Sequence, residues 1–259
     1  MVGFGIDLEL AYDGTAYCGW QWQSNGRSIY QRLDAALSQL FPRPYSLLGA
    51  SRTDAGVHAL GQRAHLLLNA PCNIPLNKLH LPINARLPDD IAVIAARAAP
   101  AGFHPINDAT SKTYLYQIYH NNAPNPLIHN QSLFVPTGKS PLNIAAMQEA
   151  LPFFIGEHDF AAFCAAGSSV KSTVRTVYSL ELLQEGKMIT LRITGNGFLY
   201  NMVRIITGTL IEVGLGKTPP SSIPSIILSK DRTKAGRTAA ARGLILSKIH
   251  YKGEIHRGL

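Results

Sequence analysis

The segment Arg52-Thr53-Asp54-Ala55-Gly56-Val57-His58 sets a lone carboxylate two residues from a guanidinium, inside an otherwise apolar, glycine-bearing stretch. A buried strand carries a charge only when that charge is paired. Side chains two apart on an extended backbone share a side. The spacing therefore places Arg52 near an ionised Asp54 at a strand end. Such a carboxylate can act as nucleophile, as general base or simply as an ion-pair partner tying a loop to the core. Gly49, Ala50, Ala55 and Gly56 remove bulk on both sides of it, which lets a substrate come close. His58 either orients a neighbour or packs.

Three further groupings have chemical potential. Lys112, Tyr114 and Tyr116 alternate along one stretch, so one strand face would offer a cation and two rings. That combination suits phosphate contact and base stacking, and equally a half-buried strand with hydroxyls at its rim. Arg204 lies in a nearly all-apolar run, Met202 to Ile211, and must either reach solvent or find a carboxylate. Asp54 is a suitable partner. The run Lys230, Arg232, Lys234, Arg237, Arg242 is either a solvated face or a phosphate contact. Gly195-Asn196-Gly197 lacks the third glycine and the later acid of a dinucleotide fingerprint. No G-x-S-x-G, Walker loop or H-E-x-x-H occurs. Thr53-Asp54-Ala55-Gly56 looks like half of an aspartic-protease pair, but the second half of the chain holds no matching loop.

The elements that must position these groups fall into two similar runs. Strands are expected at Gly5–Tyr12, Tyr45–Ala50, Arg63–Asn69 and Ile91–Ala98, with helices at Ser28–Phe41 and Leu76–Leu87. The second run has strands at Lys112–His120, Thr173–Leu183, Lys187–Thr194 and Gly243–Tyr251, with helices at Asn143–Ile155 and Phe198–Val213. Residues 219–242 read as loop or short helical pieces. Each run is β-α-β-β-α-β, which predicts an α+β fold built from two duplicated units, 1–108 and 109–259. Their mainly antiparallel sheets would lie side by side, with helices on one face and a basic cleft on the other.

Composition narrows the partners. The chain has 259 residues, of which 46% are hydrophobic, so a real core can form. Eight Lys/Arg balance eight Asp/Glu before residue 109, and sixteen face eight after it, so the second half carries the whole formal charge of +8. A polyanion fits that asymmetry, as does a merely basic soluble protein. Cys18, Cys72 and Cys164 are dispersed and form no CxxC, which favours a reducing compartment over a disulfide scaffold. Asp7 and Glu9 come too early for a signal peptide, and Asn201, Arg204 and Glu212 interrupt the longest apolar region.

Taken in order, the motifs resemble those of the TruA-type tRNA pseudouridine synthases over nearly the whole chain. They are Ala11-Tyr12-Asp13-Gly14-Thr15 with Gly19-Trp20-Gln21; Arg52 to His58 with Gly61-Gln62; Asn84-Ala85, Leu87-Pro88 and Asp90-Ile91; Phe103-His104; and Tyr114-x-Tyr116. Gly156 with Asp159-Phe160, Gly197-Phe198 with Met202-Val203-Arg204 and Gly208, and Gly243-Leu244 with Tyr251 complete the set. The resemblance implies an isomerase without metal or cofactor, converting uridine to pseudouridine at positions 38, 39 and 40 of the tRNA anticodon stem-loop. It implies a homodimer in which both subunits contact the tRNA; the dispersed cysteines and the interrupted apolar region add the expectation of a cytoplasmic protein with no membrane association. Asp54 falls on the catalytic aspartate, Tyr114 on the active-site tyrosine, Arg204 on the arginine paired with the aspartate, and Arg52 on the arginine of base flipping. Phe103, His104, Lys112 and Lys171, with Arg52 and Tyr114, are the expected substrate contacts. The chain departs from the family in having Ser51 for a glycine, Pro105-Ile106-Asn107 without the usual arginine, and Lys112-Thr113 for a more arginine-rich pair.

Overall fold

The computed structural model describes residues 3–24, 26–42, 44–138, 141–167 and 170–253. Its contacts divide the chain into two units, Met1–Thr110 with Ile245–Leu259, and Ser111–Leu244.

The first run of elements is β1 (Phe4–Tyr12), α1 (Ile29–Ser38), β2 (Tyr45–Gly49), β3 (His58–Leu68), α2 (His80–Asn84) and β4 (Ile91–Ala98). β1 buries Ile6, Leu8, Leu10 and Tyr12 at alternate positions, as the period of two requires. α1 buries Ile29, Leu33, Ala36 and Leu37 at helical spacing and starts from a capping box: Gln31 N–H donates to the Ser28 hydroxyl, and Ser28 N–H to the Gln31 side chain. α2 is shorter than the expected Leu76–Leu87 helix. Pro82 lacks an N–H and its ring would strike the carbonyl of residue 78 in a continuous helix, so a separate 3-10 turn occupies Leu76–Lys78.

The second run is β5 (Ala109–Asn121), β6 (Leu133–Pro136), α3 (Ile144–Ala150), β7 (Gly156–Asp159), β8 (Val174–Glu185), β9 (Met188–Gly195), α4 (Met202–Gly214), α5 (Ile223–Ser229) and β10 (Leu244–Tyr251). Without β6, β7 and α5 it repeats the order of the first run. α3 stops at Ala150, because Pro152 turns Leu151–Phe154 into a 3-10 helix where the spacing predicts a longer α-helix. α4 starts at Met202 rather than Phe198, because Asn201 adopts the left-handed conformation (φ 60°) and breaks the helix there.

In the first unit β1 lies between β4 and β3, both antiparallel to it. The outer edge of β3 is shared: β2 pairs with Ala64–Leu68 antiparallel, and β10 pairs with His58 and Ala59 in parallel. In the second unit the order is β6-β5-β9-β8-β7, antiparallel except for β5 with β6. α4 buries Met202, Val203, Ile205, Ile206, Leu210 and Val213, and α3 packs against it. No helix among the described residues is long and apolar enough to cross a membrane.

Candidate active site and nucleic-acid surface

Asp54 sits in the loop joining β2 to β3. The segment turns rather than extends: β2 ends at Gly49, and Val57 N–H closes a turn onto the Asp54 carbonyl at 3.1 Å. The period-two argument for Arg52 and Asp54 therefore does not apply, and Arg52 projects into solvent while Asp54 is half-buried. The loop is fixed at its foot by Gln62, which donates to the Ser51 carbonyl at 2.7 Å and accepts from Ser51 N–H at 3.2 Å. Higher up, the Thr53 hydroxyl bonds the Tyr12 hydroxyl at 2.8 Å, and the Thr53 carbonyl accepts from Trp20 N–H at 3.0 Å. Ser51 is buried at an ordinary negative φ, so a serine serves where the family has glycine; among the described residues only Asn201 and Lys230 take positive φ without being glycine.

The β1–α1 loop braces this turn from the other side. Gly56 N–H donates to the Tyr17 carbonyl at 3.2 Å, and Gly14 N–H to His58 Nδ1 at 3.1 Å. Gly14 is pressed onto the Val57 backbone so closely that a Cβ would lie 2.0 Å from the Val57 carbonyl oxygen. His58 is thus an orienting residue, with Nδ1 also 3.1 Å from the Asp13 carboxylate. Burial pushes the Asp13 carboxyl up, but hydrogen bonds from Thr15, with nearby His58 as a smaller cause, hold it below the usual carboxylate range.

In the second unit, Tyr114 lies on β5 and is buried, with its ring edge-on to Phe198 at 5.3 Å and 90°. Tyr116, two residues on, is fully buried and donates to the Ala240 carbonyl at 2.7 Å. Burial raises its hydroxyl pKa despite the positive charges of Arg204 and Arg242. Tyr116 is thus part of the core, not a stacking platform. Lys112 is half-buried near the start of the same strand, and burial pulls its ammonium down to about 8.

Arg204 resolves its apolar setting partly through backbone. Its Nε donates to the Ala239 carbonyl at 2.7 Å, and its own carbonyl accepts from Ala239 N–H at 3.1 Å. Nη1 donates to Asn201 Oδ1 at 2.6 Å. The left-handed Asn201, which sequence reasoning missed, therefore helps to aim the guanidinium. An asparagine inside the expected Phe198–Val213 helix was the available signal, since Asn tolerates that conformation better than most residues.

The expected substrate contacts belong to several elements. Phe103 packs edge-on to His65 and Tyr251, whose ring carries the Arg63 guanidinium 5.1 Å from its centroid. Phe103, Tyr251 and Arg63 line a cavity of about 1080 Å³ on the first unit's charged sheet face, where Arg63 pairs with buried Asp7 and Arg97 with Glu9. His104 engages its own turn through one ring nitrogen: Nδ1 accepts from Ile106 and Asn107 N–H, and Asp108 accepts from His104 N–H. Lys171 is exposed in the loop before β8. The late basic run is largely engaged locally, with Lys230 paired to Asp159 at 2.7 Å, Arg232 bonded to Ala235 and Thr238, and Arg242 bonded to His129. Among the described residues, no group of three or more His, Cys, Asp or Glu is placed to hold a metal ion.

Comparison with known proteins gives a consistent result. Residues 150–252 match a family model described as tRNA pseudouridine synthase. The chain is 47% identical to a tRNA pseudouridine synthase A of Ruminiclostridium cellulolyticum, over 95% of this chain and 99% of that protein. Proteins of the same description from Acetivibrio thermocellus and Caldicellulosiruptor bescii are 43% and 44% identical, each with the same 95% and 99% coverage.

Proposed function

The chain belongs to the tRNA pseudouridine synthase A family, and from that premise we propose that it acts on uridines 38, 39 and 40 of the anticodon stem-loop, with Asp54 as nucleophile. The reaction is an isomerisation: the C1′–N1 bond breaks, the uracil turns, C1′ joins C5, and the proton lost from C5 is balanced by one gained at N1. The base must first leave its stack, at a cost of a few kcal/mol. Arg52, exposed beside the turn, fills the vacated space. The carboxylate then attacks ribose C1′ or uracil C6, and either route needs it ionised. In this reading Arg204 keeps the nucleophile charged, and Tyr114 stacks on the uracil with its hydroxyl near C5. Residues 1–108 thus supply the nucleophile, and the more basic 109–259 supply Tyr114, Arg204 and the RNA-facing Lys112 and Lys171. Phe103 and His104 add contacts from the first half. The enzyme works as a homodimer in the cytoplasm.

The observation that carries the nucleophile assignment is the presentation of Asp54. Asp54 is half-buried and flanked in sequence by small residues, on a turn whose backbone is bonded on both sides. That is the preorganisation a nucleophile requires. The test incubates the protein with unmodified tRNA and maps pseudouridine; product is expected at positions 38–40, and its absence there overturns the proposal.

Lys112 adds a pH signature. Its folded pKa of about 8 lies below its ordinary 10.5. Between these values the unfolded chain holds a proton that the folded chain lacks, so this group makes stability rise with pH across that window. RNA affinity moves the opposite way, because the cation is lost above about 8. The tRNA dissociation constant is expected to rise as pH passes from 7 to 8.5. Lys112→Arg, which stays charged, should remove the step. A flat wild-type profile would refute Lys112 as a phosphate contact.

A further inference from the structure

A second basic feature lies away from Asp54, in the first unit. Arg27, Arg32 and Arg86 line a groove of about 550 Å³ with Tyr17, Leu87, Pro88 and Asp90. The three arginines come from the end of the β1–α1 loop, the outer side of α1 and the turn after α2, and all three are solvent-exposed. Arg86 is aimed by a hydrogen bond from Nη1 to the Pro82 carbonyl at 2.9 Å. Among the described residues none of the three forms an ion pair with a carboxylate. The one acid in the groove, Asp90, already accepts from the Tyr17 hydroxyl at 2.6 Å. Three guanidiniums against one engaged carboxylate leave a concentrated positive site. Folding alone gives no reason to gather them, since like charges repel.

The groove is tied to the Asp54 turn through one residue. Tyr17 forms its wall, and the Tyr17 carbonyl holds Gly56 N–H, two residues beyond Asp54. Tyr17 also senses the groove's charge: burial and Asp90 raise its hydroxyl pKa, while Arg32 and Arg27 oppose that rise. An RNA with one nucleotide at the turn must carry phosphates away from it, and the groove shares Tyr17 with the bonds that brace the turn. Guanidiniums match phosphate oxygens in bidentate geometry.

We propose that Arg27, Arg32 and Arg86 form a phosphate-binding groove that grips the tRNA backbone next to the target nucleotide. The proposal rests on the family's substrate being tRNA, and it adds a site distinct from the expected contacts at Phe103, His104, Lys112 and Lys171.

The experiment compares wild type, the triple variant Arg27→Gln/Arg32→Gln/Arg86→Gln, and a control, Arg192→Gln, which removes an exposed charge on β9. Each is assayed for kcat and KM on unmodified tRNA, and for tRNA binding against salt. The triple variant should retain kcat, raise KM roughly tenfold, and reduce the slope of log Kd against log salt by roughly 2 to 3, at about 0.7 to 0.9 for each phosphate no longer neutralised. The control should leave KM and slope unchanged. Circular dichroism checks folding, and the three single variants provide the same reading if the triple does not fold. An unchanged slope, an equal shift in the control, or a collapse of kcat with KM intact overturns the groove. If wild type makes no pseudouridine, the functional proposal fails instead, and the binding slopes still decide the groove.

Discussion

Asp54→Asn is expected to lower pseudouridine formation by about 10⁴-fold or more, with tRNA affinity changed less than about threefold. Asparagine keeps the shape of the side chain, but its amide is not a nucleophile at C1′ or C6. The turn should survive, because its bonds run through the Asp54 carbonyl, Ser51, Thr53 and Gly56. The measurement is single-turnover pseudouridine formation together with filter binding of the same tRNA. Turnover within tenfold of wild type would remove Asp54 from the chemistry. Loss of binding and activity together would instead make it a structural ion-pair partner. A scaffold that only binds RNA predicts no product even from wild type.

Gly208→Ala should be the most damaging small substitution. A Cβ there would sit 1.7 Å from the Arg237 carbonyl oxygen and 2.9 Å from its carbon, and backbone cannot swing aside as a side chain can. The clash lies in the seam that holds Arg204, where Ala239 and Arg204 exchange hydrogen bonds and Gly236 N–H donates to the Thr209 hydroxyl. Overpacking of this kind costs about 3 kcal/mol, or roughly 6–12 °C in Tm for a chain of this size. Activity should fall further than stability accounts for, because Arg204 moves with the seam. Urea and thermal melts check it against Gly197→Ala, whose Cβ would meet only the Arg175 side chain, at 3.7 Å and beyond. Equal melts for the two variants would refute the argument.

Periodic features were legible in the sequence. The alternation of β1, the apolar stripe of α1 and the extent of β4, Ile91–Ala98, all followed from residue spacing. Element order followed too, because long amphipathic segments are set by local pattern. Helix ends fell elsewhere where a single residue overrode the pattern: Pro82, Pro152 and the left-handed Asn201. β6 and β7, four residues each, are too short to show a period. The parallel pairing of β10 with β3 joins residues nearly 190 apart and leaves no local trace. Asp54 was visible because its neighbours are small, yet its backbone is a turn and not the extended segment expected, since alternation does not distinguish a bonded turn from a strand end. The Arg27, Arg32 and Arg86 groove could not be read at all, because its members come from separate elements.

The shared edge of β3 bears on synthesis. One half of that edge is filled by β2 within the first 70 residues, but the other waits for Ile245 and Leu246. A nascent chain emerging from the ribosome therefore has all of Ser111–Leu244 available to fold before its N-terminal unit can be completed. The strand that carries on directly from the Asp54 turn keeps the start of one edge open until the C-terminal segment arrives. Truncation before residue 245 should accordingly leave an aggregation-prone edge.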